Sequence, residues 1–147
     1  MAFFVFEGKG SMAHIPRRFA VTLLDISKSN FDHWHELYDP SAAKPRRYRF
    51  ADLVLFALIR DLVKLDGNPI SELKTSISQE TLLSLREALI EDPHAPLWFH
   101  YIRRQKKSYW ETKEMMERDP KRFEGLGRLS YEIQPLREQL IARFQQL

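Results

Sequence analysis

The sequence predicts a mainly helical α+β chain. Three observations carry that expectation. Apolar residues recur at helical spacing from Phe31 to Ile90, the texture turns aromatic and branched after Pro93-His94-Ala95-Pro96, and helical spacing returns from Leu136 to Phe144. With 147 residues, 44% hydrophobic and 29% charged, the chain is long enough for one domain with a core, or for a small domain plus an appendage.

Residues 1–18 read as an N-terminal extension. Four apolar residues, Phe3–Phe6, follow no basic leader and are too few for a signal-peptide apolar region. "AVTLLDIS", Ala20–Ser27, suits one or two helical turns. In "KSNFDHWHELY", Ser29 or Asn30 can cap a helix over Asn30–Tyr38 by accepting from the free amides of its first turn. Phe31, Trp34 and Leu37/Tyr38 form its apolar face, with Asp32, His33, His35 and Glu36 opposite.

"DPSAAKPRR" breaks at Pro40 and Pro45 and forms a loop. Lys44, Arg46, Arg47 and Arg49 crowd its end, with no acid between Asp39 and Asp52. "ADLVLFALIRDLVKL" is the clearest helix. Leu53, Phe56, Leu58/Ile59, Leu62, Val63 and Leu65 cover more than one stripe, which predicts a central helix contacted on several sides. Gly67 ends it, Asn68 is placed to cap the next helix and Pro69 sits at its first position. Ser78 starts a further helix over Ser78–Asp92.

Past Pro96, "LWFHYIRR" and "SYW" read as strands around a "QKK" turn. "ETKEMMERDPKRF" is a helix ended near Pro120, "GLGRLSYEIQ" a strand, and "PLREQLIARFQQL" a closing amphipathic helix with Pro135 at its start. The expected division is 1–18, 19–92 and a small mixed α/β part, 93–147. The closing helix and Glu80–Ile90 either form a dimer seam or cover the small sheet.

Two short helices, a basic loop with extended flanks and two more helices follow the order of a winged helix-turn-helix. The run "RRYRFADLVLFALIRDLVKLDGNPISELKTSI" resembles the DNA-binding domain of the MerR family. Tyr48-Arg49 match the pair that closes the wing, and Asp52 matches the acid opening the next helix. Phe56, Ile59 and Leu62 match its core, Gly67 the glycine, and Ile70 with Glu72-Leu73-Lys74 the short helix after it. Leu24 and Ile26 fall at first-helix core positions and Trp34 at a second-helix one. The resemblance spans about residues 19–78.

It implies a dimeric transcriptional regulator that reads double-stranded DNA. Asn30, His33 and His35 would reach base edges or phosphates from the helix Asn30–Tyr38. Lys44, Arg46, Arg47, Tyr48 and Arg49 would lie along the backbone from the wing, and Arg17, Arg18 and Lys28 would add phosphate contacts. The acids Asp32 and Glu36 oppose the phosphates on that same helix. The alternative is a non-catalytic protein-interaction module, such as a phage or toxin–antitoxin accessory protein on a winged scaffold. It accords with a net charge of only +3 and with the aromatic second half.

Enzymatic chemistry finds no support: there is no Gly-rich phosphate loop, nucleophile elbow or metal-ligand spacing. His33 and His35, two residues apart, do not share a helix face, and no metal or cofactor is implied; the sequence leaves a small-molecule effector open. The chain has no cysteine, which excludes disulfides and thiolate sites and accords with a reducing cytoplasm. No segment approaches the ~20 apolar residues of a membrane span.

Replacing Arg46 and Arg47 together with Ala is expected to weaken binding to every DNA sequence and to flatten its salt dependence. Unchanged affinity at low salt would count against the wing.

Overall fold

The structure is a computed structural model that describes residues 15–38 and 47–146; Lys44 and Arg46 lie outside the described residues. It is α+β and about 60% helical, with seven α-helices and two small antiparallel sheets among the described residues. A two-residue strand β1 (Ile15–Pro16) enters α1 (Arg17–Leu24) and pairs antiparallel with β2 (Arg47–Tyr48). Helix α1 begins earlier than the apolar run Ala20–Ser27 suggests. Pro16, in extended conformation, sets its entry, and Asp25 at φ +53° closes it before Ser27.

Helix α2 (Lys28–Tyr38) is capped by Ser27 rather than by Ser29 or Asn30. The Ser27 Oγ accepts from the Asn30 N–H at 3.0 Å, and the Ser27 carbonyl accepts from Phe31 N–H at 3.0 Å. Small polar residues stand at Ser27, Ser29 and Asn30, three of four successive positions, so the local chemistry alone does not choose among them.

Helix α3 (Phe50–Arg60) is the axis of the fold. Every residue from Asp52 to Ile59 is buried, and α1, α2, α5 (Gln79–Glu91) and α7 (Ile133–Gln145) surround it. This is the central helix that its broad apolar surface predicts. It runs into a π-helical turn, Asp61–Leu65, in which Asp66 N–H reaches the Asp61 carbonyl. Leu65, expected on the apolar face, is 76% exposed, because the wider turn rotates it outward.

Gly67 ends this segment at φ +69°, in open space, as expected. Asn68 does not cap α4 (Ile70–Ser76), which follows Pro69 without a side-chain cap. It points backwards instead. Its backbone N–H and its Nδ2 donate to the Leu62 carbonyl at 3.0 and 2.8 Å, and its Oδ1 accepts from Arg103 Nε at 2.9 Å. The open Leu62 carbonyl of the π-helical turn and a strand-end arginine occupy both ends of the Asn68 amide at once, and these two contacts outweigh a surface cap. Helix α5 starts where expected, with Ser78 Oγ accepting from Thr81 N–H.

The second half forms β3 (Leu97–Ile102), β4 (Lys107–Thr112), α6 (Lys113–Arg118), β5 (Arg128–Glu132) and α7, with the strands antiparallel in the order β4-β3-β5. Pro135 lies at the third position of α7, still within the first turn, where no intrahelical donor is required. Strand β3 alternates. Leu97, Phe99 and Tyr101 join the core beneath the sheet, while His100 pairs across the other face with Tyr109 and Ser130.

Helix α7 then returns along α3 and α1, burying Ile133, Leu136, Leu140 and Phe144. The change of texture near Pro93 is therefore not a break in the core: residues on both sides contribute to one apolar cluster. The apolar faces of α5 and α7 are covered within the chain by this packing.

Replacing Asn68 with Ala removes the side-chain donor to the Leu62 carbonyl, which keeps the backbone N–H, and the acceptor of Arg103 Nε. A loss of about 1–3 kcal/mol is expected in urea unfolding, with little change in the slope. A change below about 0.5 kcal/mol would show that water satisfies these groups instead.

Candidate nucleic-acid interface

The candidate surface is built from the first turns of α1 and α2 and the strand that enters α3. Arg17 and Arg18 open α1, where no side chain caps the first amides, and Lys28 opens α2. Together with Val21 they line a groove of about 420 Å³. Each helix N-terminus carries partial positive charge from its aligned peptide dipoles, so Arg18, Lys28 and the two helix ends add in sign, while Arg17 is paired with Asp32. Arg47 and Arg49 stand exposed on either side of buried Tyr48, at the β2–α3 junction.

The two acids on the outward face of α2 are both matched by cations. Asp32 pairs with Arg17, whose guanidinium also lies 5.9 Å from the Phe31 ring centroid. Glu36 Oε2 lies 2.8 Å from Lys74 Nζ on α4. The local repulsion that Asp32 and Glu36 would exert on a phosphate is thereby offset by neighbours distant in sequence. His33 is exposed and Asn30 half-exposed on the same side of α2.

Two of the expected contact residues are elsewhere. His35 is 3% exposed, with its ring centroid 5.9 Å from Tyr48, 5.8 Å from Phe56 and 6.1 Å from Tyr38. It belongs to the core because it lies one turn beyond Phe31, on the stripe that Phe31 and Tyr38 define. That spacing was present in the sequence, where the polar identity of histidine outweighed it. Tyr48 is 2% exposed, its ring edge-on to Phe31 at 5.2 Å, and burial pushes its phenol above the usual value while Arg17 pulls the other way. Tyr48 is thus an anchor under the strand rather than a surface group.

What holds this surface in place is Asp52. Its Oδ1 accepts from the Tyr38 hydroxyl at 2.6 Å and from Arg86 Nε at 2.7 Å, and its Oδ2 accepts from the Arg49 N–H at 2.9 Å. One buried carboxylate thus joins the end of α2, the start of α3 and the middle of α5. Burial pulls the Arg86 guanidinium down, but the hydrogen bond and charge of Asp52 outweigh it and raise the net value. The acid at the opening of α3 is legible as the reverse half of a capping box. Its partners Tyr38 and Arg86, on other helices, carry no local sign of the contact.

Comparison with known proteins finds no matching family model, no matching curated protein and no matching solved structure.

Removing the buried carboxylate strands Arg86 and Tyr38 together. Asp52→Ala is expected to cost about 3–5 kcal/mol in chemical unfolding, and a loss below about 1 kcal/mol would show that the three contacts are replaceable by water.

Proposed function

We propose that this chain is a DNA-binding protein of winged helix-turn-helix type, with α2 presented to the major groove and the β2–α3 junction and groove cations along the phosphates. The observation that carries this reading is the groove between the starts of α1 and α2. Arg17, Arg18 and Lys28 line it; Arg17 is paired with Asp32, and Arg18 and Lys28 stand exposed. The order of helices and the short β1–β2 ribbon are compatible with that architecture. Phosphate contacts of this kind supply sequence-independent affinity and fix register, while Asn30 and His33 are the side chains of α2 placed for base edges. Regulation of transcription and pairing as a homodimer on two half-sites remain part of the proposal, drawn from the resemblance of residues 19–78 to the MerR family.

The reading makes a quantitative demand. Arg18→Ala with Lys28→Ala, two exposed positions, should reduce the magnitude of the slope of log K against log salt by about 2 on a duplex of arbitrary sequence. Asn30→Ala should instead leave non-specific affinity nearly unchanged and act only on a selected target site. Fluorescence anisotropy over a salt series measures both. A wild-type protein that binds no duplex even at low salt would overturn the proposal.

A further inference from the structure

The far end of the sheet carries a second concentration of charge that the first surface does not use. Strands β3 and β4 turn at Arg103–Lys106, and the segment Asp119–Gly127 leads into β5 beside them. The two turns are joined by backbone bonds, Arg103 N–H to the Gly127 carbonyl and Arg104 N–H to the Leu126 carbonyl, both at 3.3 Å. The register places Lys107 on one side of Ile102 and Arg128 on the other.

The result gathers Arg103, Arg104, Lys106, Lys107, Lys121, Arg122 and Arg128 at one end of the sheet, in a chain whose whole net charge is +3; Asp119 and Glu124 share the segment, and Asp66 and Glu111 lie at its inner edge beside Arg103 and His100. Of these cations all but Arg128 are exposed. Among the described residues no ion pair involves any of the seven.

This is more than a solvated charged turn, because the arginines are held in position. Arg103 bonds Asn68 Oδ1 and the Asp66 carbonyl at 2.9 and 2.7 Å, and Arg104 bonds the Gly125 carbonyl at 2.9 Å. Arg128 bonds the carbonyls of Arg122 and Pro120 at 2.8 and 3.0 Å. The Arg122 guanidinium lies 4.9 Å from the Tyr109 ring centroid and 5.0 Å from that of Phe123. Carbonyls and rings orient these cations without cancelling their charge. The field is felt inside the sheet: His100, already disfavoured as a cation by burial, is lowered further by Arg128 and Arg122, to about 4.

We propose that this sheet end is a second binding surface for the phosphate backbone of duplex DNA, carried by Lys106, Lys107, Lys121 and the fixed arginines. It rests on the DNA-binding reading above. Arg103 ties it to the end of α3, whereas Arg47 and Arg49 stand at the start of that helix. The two surfaces are therefore separated by about the length of its sixteen residues to Leu65, roughly 25 Å. That distance corresponds to about seven base pairs of duplex, so a single molecule would engage more phosphates than its first surface alone can reach.

The test compares the full-length wild type, the exposed triple variant Lys106→Gln/Lys107→Gln/Lys121→Gln, and Arg18→Ala/Lys28→Ala. Each is measured by anisotropy over a salt series on a duplex of about 30 base pairs and on a single strand of equal length, with circular dichroism to verify the fold. The triple variant is expected to reduce the salt slope on the duplex by about 2 to 3 and to weaken low-salt binding at least about tenfold. A folded triple variant with wild-type slope and affinity, while Arg18→Ala/Lys28→Ala still loses affinity, overturns the second surface and leaves the first standing. A loss confined to the single strand overturns the assignment to duplex. No binding by the wild type removes both readings.

Discussion

The arrangement depends on one buried carboxylate. Asp52 stands at the first turn of α3 and accepts from a tyrosine of α2, an arginine of α5 and the backbone amide that precedes its own helix. A charge that far from water is tolerated because three donors replace its hydration shell. Each donor comes from a different direction, so the contact fixes an angle as well as a distance. The approach of α2 to α3, and the position of the strand carrying Arg47 and Arg49, follow from it. Around this point Phe31, His35, Tyr48 and Phe56 pack ring against ring and exclude water from the pair.

A second polar knot does the same work at the other end of α3. There the π-helical turn and Gly67 leave the Leu62 carbonyl open to Asn68, and Asn68 in turn receives Arg103 from the end of β3. The Tyr131 hydroxyl donates to Asp66 beside it, and burial together with that carboxylate pushes the phenol well above its ordinary range. The sheet is thus locked to the helical part by directional contacts in addition to the apolar contacts of Phe99 and Tyr101. Both basic surfaces are therefore borne by well-anchored elements, which lowers the conformational cost of presenting their cations together.

The elements whose signals are local were legible in the sequence. Helix α3 announced itself by an apolar run too broad for one stripe. The Ser78 cap, the Gly67 stop and the strands β3, β4 and β5 followed from residue type and spacing. The candidate surface was only partly legible. Arg18, Lys28, Arg47 and Arg49 lie outward, as cations usually do, whereas Arg17 is half-buried against Asp32. His35 and Tyr48 were misplaced because a residue's polarity was weighed above its position on a helical or strand stripe. Asn68 was misassigned because its nearest use, a cap, lost to two partners, the Leu62 carbonyl and Arg103, of which Arg103 arrives only when the chain folds back.

By itself, then, the sequence determined the helical class, the identity of the central helix and the places where charge accumulates. These depend on period, composition and turn chemistry within a few residues. Only the tertiary structure decided which cations are balanced and which stand open. Asp32 and Glu36 look like obstacles to a polyanion until Arg17 and Lys74 are brought against them. Arg103–Lys107 look like an ordinary charged turn until Lys121, Arg122 and Arg128 are folded beside them. Electrostatic character is a sum over neighbours in space, and long-range packing chooses those neighbours.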